Sequence, residues 1–393
     1  MKTIKYRELR RRYELDGPAK TVKHLSEAIA QRHVRPEDFS LRDLAEGLVP
    51  DGHQWVRMLD PRNSSGTSVL EAEEAVDVTA FLHVAGQIVY SKILEAYRQE
   101  AFVVSKLVDT IPTRLDGERI PGIGRIKDEV TEVHPGMPYP HVGFGEDYIE
   151  TPLTSKHGLI VPVTKEAIFF DRTNLVLSRA AEVGEVLGLN REKRLIDLVI
   201  GATNNYKWKG TSYDTYYAAA DAGPWTNVLE DNELLDWTDV DAAEQLFAEI
   251  LDPNTGEPVL VRPTTVLLMP AYRHAANRVF RAAEIAYTAA GSATTTTAAN
   301  PLSGYRILDS RLVYRRVIAS GVSADEARQW WFLGDFRKAF AYMENWPLTV
   351  TQSPPGSEAD FNQDVLVRFK ASERGAAAVL NPRYVVKCTG AMP

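Results

Sequence analysis

Residues 111–155 constrain the fold most, because prolines and glycines recur throughout this segment. Prolines stand at positions 112, 121, 135, 138, 140 and 152, and six glycines fall between the first and last of them. Proline lacks a backbone donor and blocks a helix interior, so no long helix can form here. We therefore predict an extended two-stranded loop. Such a loop cannot bury its own faces and needs another surface to lie on.

Helical periodicity marks the sequence on both sides of this loop. Apolar residues recur at helical spacing over about 80–100 and again over about 172–200. The second helix would span roughly 40 Å at about 1.5 Å per residue, which makes it the longest rigid element predicted. Between the loop and this helix, His157–Thr164 has the composition of a compact apolar strand.

The C-terminal part of the chain is predicted to consist mainly of strands. Thr264–Met269 has the continuous apolar character of a buried strand. A helix over Pro270–Ala289 and a low-complexity, exposed loop over Ser292–Asn300 are predicted to follow. The predicted strands after these are Tyr305–Asp309, Leu312–Val317, Trp330–Gly334, Leu348–Gln352, Asp364–Lys370, Ala377–Val379 and Tyr384–Lys387.

The N-terminal 23 residues carry excess positive charge. The candidate residues for a basic segment with a function are Lys2, Lys5, Arg7, Arg10, Arg11 and Arg12. Such a segment could contact nucleic acid phosphates. The alternative is a solvated helix face with ion pairs inside the helix, and charge runs of this kind more often have that explanation.

Composition excludes several classes of protein. The net charge of −8 and the acidic pI of about 5.6 argue against a surface that binds nucleic acid everywhere. Cys388 is the single cysteine, so no disulfide framework is predicted, and a packed thiol is favoured over a nucleophile. The N-terminus lacks the apolar run of a signal peptide, and no stretch approaches about 18 apolar residues. We expect a soluble chain from a reducing compartment and no contact with a membrane.

No motif for catalysis or cofactor binding stands out. The sequence has no phosphate-binding glycine loop, no His-Glu-x-x-His and no Gly-x-Ser-x-Gly. None of the eight histidines has metal-ligand spacing, and His134 with His141 is too small a set for zinc. We therefore predict no catalytic residue, no cofactor and no metal. A hydrolase with an unrecognised carboxylate site remains a less favoured alternative.

The order of elements resembles the Hong Kong 97-type major capsid proteins of tailed bacteriophages. The resemblance rests on pieces that occur in the family's order. They are the loop 111–155, the strand and Thr-Lys-Glu helix start at 148–168, the long helix 172–200, the strand Thr264–Met269 followed by Pro270, Trp331-Phe-Leu-Gly-Asp-Phe-Arg-Lys-Ala-Phe, and the closing block 362–382. It implies an α+β fold with an N-terminal arm, an extended two-stranded loop, a peripheral domain with a spine helix, and an axial domain. Because the chain starts at Met1, we expect the N-terminal segment either to remain as an arm or to belong to an uncleaved assembly.

The resemblance also implies a division of the chain. The predicted parts are an N-terminal extension (1–110), the extended loop (111–155), a peripheral domain with the spine helix (156–203), an axial domain (204–345), peripheral return strands (346–374) and a C-terminal axial segment (375–393).

The implied function is a major capsid protein that forms hexamers and pentamers of an icosahedral shell around double-stranded DNA. Its expected partners are other copies of itself, a portal, scaffolding or decoration proteins, and the packaged DNA. The expected location is the virion, after assembly in the host cytoplasm. An encapsulin-type compartment, which encloses a protein cargo, is the main alternative.

Overall fold

The structure is a computed structural model of the 393-residue chain. It describes residues 6–31, 33–35, 40–49, 52–59, 74–122, 132–135, 137, 139, 147–170, 175–218, 224–252, 255–288, 295–353 and 364–390. Within these ranges the chain mixes helices and sheets, which confirms the predicted α+β class.

Helices dominate the N-terminal part of the described chain and strands the C-terminal part. The helices are α1 (Tyr6–Asp16), α2 (Pro18–Ala30), α3 (Leu41–Leu48), α4 (Gly52–Met58), α5 (Glu74–Tyr97), α6 (Val104–Leu107), α7 (Lys165–Phe170), α8 (Leu175–Val199), α9 (Trp237–Glu249), α10 (Arg273–Arg281), α11 (Arg311–Ala319), α12 (Ala324–Arg328) and α13 (Phe336–Ala339). The strands are β1 (Asp109–Pro112), β2 (Arg119–Pro121), β3 (Tyr148–Glu150), β4 (Ser155–Thr164), β5 (Tyr206–Trp208), β6 (Thr211–Tyr213), β7 (Val228–Leu229), β8 (Thr265–Leu268), β9 (Glu284–Thr288), β10 (Thr295–Ala299), β11 (Arg306–Asp309), β12 (Trp331–Gly334), β13 (Phe340–Gln352), β14 (Val365–Val379) and β15 (Val385–Cys388).

The chain divides into two compact units that do not follow sequence order. Unit 1 comprises Met1–Ala101, Lys156–Asn190 and Trp346–Arg374, and unit 2 comprises Phe102–Ser155, Arg191–Asn345 and Gly375–Pro393. Three elements, α8, β13 and β14, continue from one unit into the other.

The N-terminal helices pack into the core of unit 1. Leu25 of α2, Leu44 of α3 and Val56 of α4 are almost fully buried, in the same cluster as Leu187 of α8 and Val367 of β14. Burying a leucine contributes roughly 1.5–3 kcal/mol, so these helices have packing of their own. The described part of the N-terminal extension is therefore helical rather than an extended arm.

α5 and α8 approach each other closely inside unit 1. A Cβ atom added to Gly184 of α8 would lie 2.3 Å from the carbonyl oxygen of Ile93 in α5. Only glycine allows two helix backbones to come this near, since any side chain would occupy the space of the neighbouring carbonyl.

Unit 2 is built around a five-stranded sheet with the strand order β11-β8-β12-β15-β7. Alternate residues of β8 enter two different cores. Val266 and Leu268 pack with α9 and α10, whereas Leu267 packs with the end of α8 and with α11. Because side chains of a strand point to opposite faces in turn, this sheet is covered on both faces. All four residues of β8 are buried, and its run of three apolar residues made the strand predictable.

Two predicted elements after residue 270 are wrong, and a third is correct only in its first part. Leu312–Val317 is part of the helix α11, whose Ser310 accepts a hydrogen bond from the backbone of Val313 as an N-cap. The helix predicted over Pro270–Ala289 ends at Arg281 and is followed by β9. Most of the predicted loop Ser292–Asn300 is the strand β10, paired antiparallel with β9. Threonine is β-branched, and the threonine run fits an extended strand better than a loop.

Candidate assembly surfaces

The extended loop leaves and re-enters unit 2 through a short paired stem, β2 and β3. These strands pair antiparallel, with Arg119 opposite Glu150 and Pro121 opposite Tyr148. Beyond the stem, the backbone N–H of Gly122 donates to the carbonyl oxygen of Asp147 at 2.8 Å. The segment predicted as an extended two-stranded loop therefore has a paired base, whereas the two-stranded arrangement of the loop itself stays a prediction. Most of the loop between residues 123 and 146 lies outside the described residues.

The stem is held to unit 2 by a sheet of order β2-β3-β5-β6. Ile149 of β3 is buried and pairs with Trp208 of β5. β5 and β6 form a hairpin closed by Lys209 and Gly210, both with positive φ, as in the turns that suit two-residue hairpins. The base of the long loop therefore has a rigid support.

Charged side chains reinforce the same sheet. Glu150 forms an ion pair with Lys207 of the neighbouring strand and with Arg119 at 3.3 Å. The pKa of the Glu150 carboxyl is held below its usual value, first because Lys207 donates a hydrogen bond to it and also because both partners are positively charged. The Arg119 guanidinium also lies over the Tyr148 ring, 4.6 Å from its centroid. These contacts fix the register of the stem.

Apolar side chains near the stem are exposed. Leu115 precedes β2 and Leu153 follows β3, so both lie at the same end of the stem. The exposed fractions are 56% for Leu115 and 72% for Leu153, and Met137 and Tyr139 in the loop are exposed as well. Groups of exposed apolar residues mark interaction sites in soluble proteins.

A second exposed surface is β4, the edge strand of the sheet with order β1-β13-β14-β4. The sequence predicts a compact apolar strand here, and the strand is present, but most of its residues are exposed. Leu159 and Ile160 are 40% and 56% exposed. An edge strand with exposed apolar residues is a template for pairing with another chain.

The hairpin of β9 and β10 is a third exposed surface. Nine of its ten strand residues are exposed, and Ile285 is half-buried. The Nε1 group of Trp237 donates to the carbonyl oxygen of Ala286, and Asn300 donates to the carbonyl oxygens of Val279 and Ala282. The hairpin is thus anchored by Asn300 at its base and by Trp237 along β9, where the Trp237 ring also contacts the Tyr287 ring.

The predicted basic segment is only partly within the described residues. Lys2 and Lys5 lie outside them, and Arg7 and Arg10 belong to α1, with side chains outside the description. Arg11 is exposed, and Arg12 donates to the Nε2 atom of His24 at 2.8 Å. The segment is helical from Tyr6 onward, as the solvated-face interpretation requires, and its contact with nucleic acid stays a prediction.

The described residues offer few features for chemistry. No group of three or more His, Cys, Asp or Glu side chains among them could hold a metal ion. A cavity of about 540 Å³ in unit 1 is lined by residues such as His83, Tyr90 and Gln352, and no carboxylate lines it. Cys388 is fully buried, and burial raises the pKa of its thiol, which is opposite to the activation of a nucleophile. None of the helices in the described ranges has the length and apolar character to cross a membrane.

Lys387 on β15 is the most unusual basic residue of unit 2. Its Nζ atom lies 3.4 Å from the centroid of the Trp330 ring and 5.7 Å from that of Tyr216. Burial lowers the pKa of this amine from 10.5 to about 8. The charged amine therefore destabilises the folded state, although its contact with the aromatic rings offsets about 1 kcal/mol of the cost.

Lys387→Met is expected to raise the free energy of unfolding at pH 7 by about 2 kcal/mol, since a shift of this size is worth about 3 kcal/mol before that offset. Between pH 8 and 10.5 the unfolded chain binds more protons than the folded one, so the wild type gains stability as pH rises, whereas the variant lacks this gain. Urea denaturation at several pH values measures both effects. Lys370→Met, at an exposed position, is the control. An unchanged pH dependence in Lys387→Met would contradict the argument.

Comparisons with known proteins place the chain in a family. No curated protein matches the sequence. Among solved structures, the capsid of an empty GTA particle matches over 75% of this chain and 91% of that chain, with 13% identity and a TM-score of 0.45. A structure from Mycobacterium phage Adephagia matches over 75% and 91%, with 14% identity and a TM-score of 0.44. The SrpI encapsulin complex from Synechococcus elongatus PCC 7942 matches over 73% and 86%, with 14% identity and a TM-score of 0.42.

The assignment of this chain to a family rests on its match to a family model. The sequence matches the model of a family described as phage capsid protein over residues 149–388. That range begins in the loop stem at β3 and ends with β15, so it includes α8, the five-stranded sheet and the return strands β13 and β14. It also covers more than half of the 393 residues. This chain therefore belongs to the phage capsid protein family, as the order of its elements predicted.

Proposed function

We propose that copies of this capsid protein form the hexamers and pentamers of an icosahedral head that encloses double-stranded DNA. The protein is a structural component of the virion. The family match over residues 149–388 is the observation that carries the proposal. Assembly in the host cytoplasm, with a portal and with scaffolding or decoration proteins as partners, belongs to the same proposal, as does the absence of catalytic activity.

The exposed surfaces described above support self-assembly. The stem of the loop is held in a four-stranded sheet, and exposed apolar residues lie next to this stem. An extended loop of this kind gains stability by lying across another copy, where its apolar side chains lose contact with water. In this proposal the loop 111–155 and the N-terminal extension 1–110 contact neighbouring copies, in the domain division that the sequence predicts.

Electron microscopy of the purified native particle tests the proposal, with nucleic acid content measured on the same sample. Closed icosahedral shells filled with double-stranded DNA are the expected result. Closed shells that hold protein cargo and no genome would instead establish an encapsulin-type compartment. A small oligomer that never forms shells, even with the other head proteins present, would overturn the shell function.

Neutralising the basic segment is expected to weaken retention of DNA. The variant changes Lys2, Lys5, Arg7, Arg10, Arg11 and Arg12 to glutamine. Each phosphate contact contributes about −0.9 to the slope of log K against log salt, so six lost contacts would reduce the magnitude of that slope by about 5. Packaged DNA is measured across a salt series. A control changes Arg311 and Arg315, exposed residues of unit 2, to glutamine. Unchanged packaging with an unchanged salt dependence would show that this segment does not face the genome.

A further inference from the structure

Two neighbouring stretches of unit 2 carry opposite charges. Residues 230–249 contain eight Asp or Glu and no Lys or Arg, whereas residues 258–283 contain four Arg and no Asp or Glu. α9 lies in the first stretch and α10 in the second. Both helices bury their apolar side chains in one core beside the five-stranded sheet, so their charged faces turn to solvent.

The charges occupy matching positions on the two helices. Each helix has three exposed residues at a spacing of four: Asp241, Gln245 and Glu249 on α9, and Arg273, Asn277 and Arg281 on α10. Residues four apart share a helix face, and eight residues rise by about 12 Å. We call these sets the acidic stripe and the basic stripe. Each has two like charges about 12 Å apart with an amide side chain between them.

The stripes do not neutralise each other within one copy. In the described part of the chain no ion pair joins them: Asp241 accepts a hydrogen bond from Gln245, and Arg281 donates to the carbonyl oxygen of Ser303 at 3.5 Å. α9 packs against β15, next to the edge strand β7. α10 packs against the turn Pro301–Gly304, which leads into the other edge strand, β11.

We propose that the acidic stripe of one copy docks on the basic stripe of the next copy in a ring. The inference rests on the proposed self-assembly and names a surface that carries it. A contact between two different surfaces of identical copies is heterologous, and it produces a ring when the rotation between successive copies closes. The equal spacing lets each carboxylate meet an arginine while the two amide side chains meet in the middle.

DNA fits this face less well than a second copy does. Residues 230–249 carry eight carboxylates, whereas residues 258–283 carry four arginines. A polyanion laid there is repelled more than it is attracted. A second copy presents both signs of charge and can match each stripe with its opposite.

Charge reversal tests the contact. The basic-stripe variant carries Arg273→Glu and Arg281→Glu, and the acidic-stripe variant carries Asp241→Lys and Glu249→Lys. Each is expected to weaken association of subunits by about tenfold or more, because like charges then face each other. The chain with all four changes presents two opposite stripes again and is expected to associate like the wild type. Sedimentation velocity measures association, and circular dichroism verifies that each variant is folded.

Two further samples test the same contact between copies. A mixture of the two single-stripe variants is expected to associate, since one presents only carboxylates and the other only cations, and to favour rings with an even number of copies. Arg311→Glu with Arg315→Glu, exposed on α11 against the other face of the sheet, is the matched control and should associate normally.

Three results would overturn the inference: normal association of both single-stripe variants, failure of the four-change chain to regain association while it remains folded, or a basic-stripe variant that assembles normally and loses only its DNA. These outcomes are distinct from failure of the proposed function. In that case the wild type would associate without ever forming shells, and the effect of charge reversal on its association would still decide the contact.

Discussion

Trp331→Ala is expected to lower the free energy of unfolding by about 3–5 kcal/mol, the range for removing a large aromatic side chain from a core. Trp331 lies in β12, at the centre of the five-stranded sheet, and is fully buried in the core formed with α9 and α10. Its Nε1 group donates a hydrogen bond of 2.8 Å to the carbonyl oxygen of Asn232. Alanine would leave a cavity and a buried carbonyl oxygen without this donor.

Two other variants separate these contributions. Trp331→Phe keeps most of the ring volume and loses the donor, so a cost of about 1–3 kcal/mol is expected. Trp346→Ala removes a partly exposed tryptophan of β13, over which Lys156 and Arg374 lie, and a smaller loss is expected. Urea denaturation of the unassembled subunit, followed by far-UV circular dichroism, measures all three. A Trp331→Ala variant no less stable than Trp346→Ala would contradict the argument.

Gly184→Leu is expected to destabilise unit 1 by about 3 kcal/mol or more, the upper part of the range for overpacking. The side chain would enter the space of the α5 backbone, since an added Cβ alone lies 2.3 Å from the carbonyl oxygen of Ile93 and 3.0 Å from its Cα. A backbone carbonyl cannot rotate away as a flexible side chain can. The two helices would have to separate, and apolar contacts in the core of unit 1 would be lost.

Gly184→Ala tests whether the close contact with Ile93 outweighs the gain in helix propensity. Helix propensity alone would stabilise α8 by about 1 kcal/mol. The close contact with Ile93 acts in the opposite direction, and we expect it to prevail. Asn190→Ala, at an exposed position of the same helix, gives the propensity gain without the contact and should raise stability by a few tenths of a kcal/mol. Stabilisation by Gly184→Ala would show that the helices can move apart at little cost.

Long or continuously apolar elements could be predicted from the sequence because their signal is local. α8 was predicted over 172–200 and spans Leu175–Val199, and β8 was predicted one residue longer at each end. The apolar periodicity of α8, however, did not predict correctly which of its residues are buried and which helix they contact. Val186 was included among its apolar positions and is 52% exposed, whereas the close approach at Gly184 depends on α5, more than 80 residues earlier in the chain.

Elements that depend on distant partners were predicted less well. β14 was predicted as two strands, because polar residues interrupt its apolar pattern at Ser372, Glu373 and Arg374. It is one strand from Val365 to Val379, and the buried Glu373 accepts a hydrogen bond from the hydroxyl of Tyr97. The segment of α11 was predicted as a strand, although the sequence contains two helix signals. Ser310 is a favourable N-cap residue, and Val313 and Val317, which are buried in the structure, are four residues apart.

The assembly surfaces were predictable only in part. The prolines and glycines of residues 111–155 indicated a loop, but its anchor at Glu150 and Lys207 depends on pairing with a strand more than 50 residues away. The excess of basic residues at the N-terminus was visible from composition, whereas the direction that it faces depends on neighbouring copies. The separation of charge between residues 230–249 and 258–283 is visible in the sequence, but searches for periodicity and for motifs do not detect it.

The hairpin of β9 and β10 offers a place to enlarge the protein. Asn300, at the end of β10, donates hydrogen bonds to the carbonyl oxygens of Val279 and Ala282, and Trp237 contacts Ala286 and Tyr287 of β9. Nine of the ten strand residues are exposed. Doubling the length of a flexible connection costs only about 0.6 kcal/mol of closure entropy. Foreign peptides inserted between Thr288 and Thr295 are therefore expected to leave the core of unit 2 intact. Each would be repeated in every copy of the protein, which suits the display of antigens.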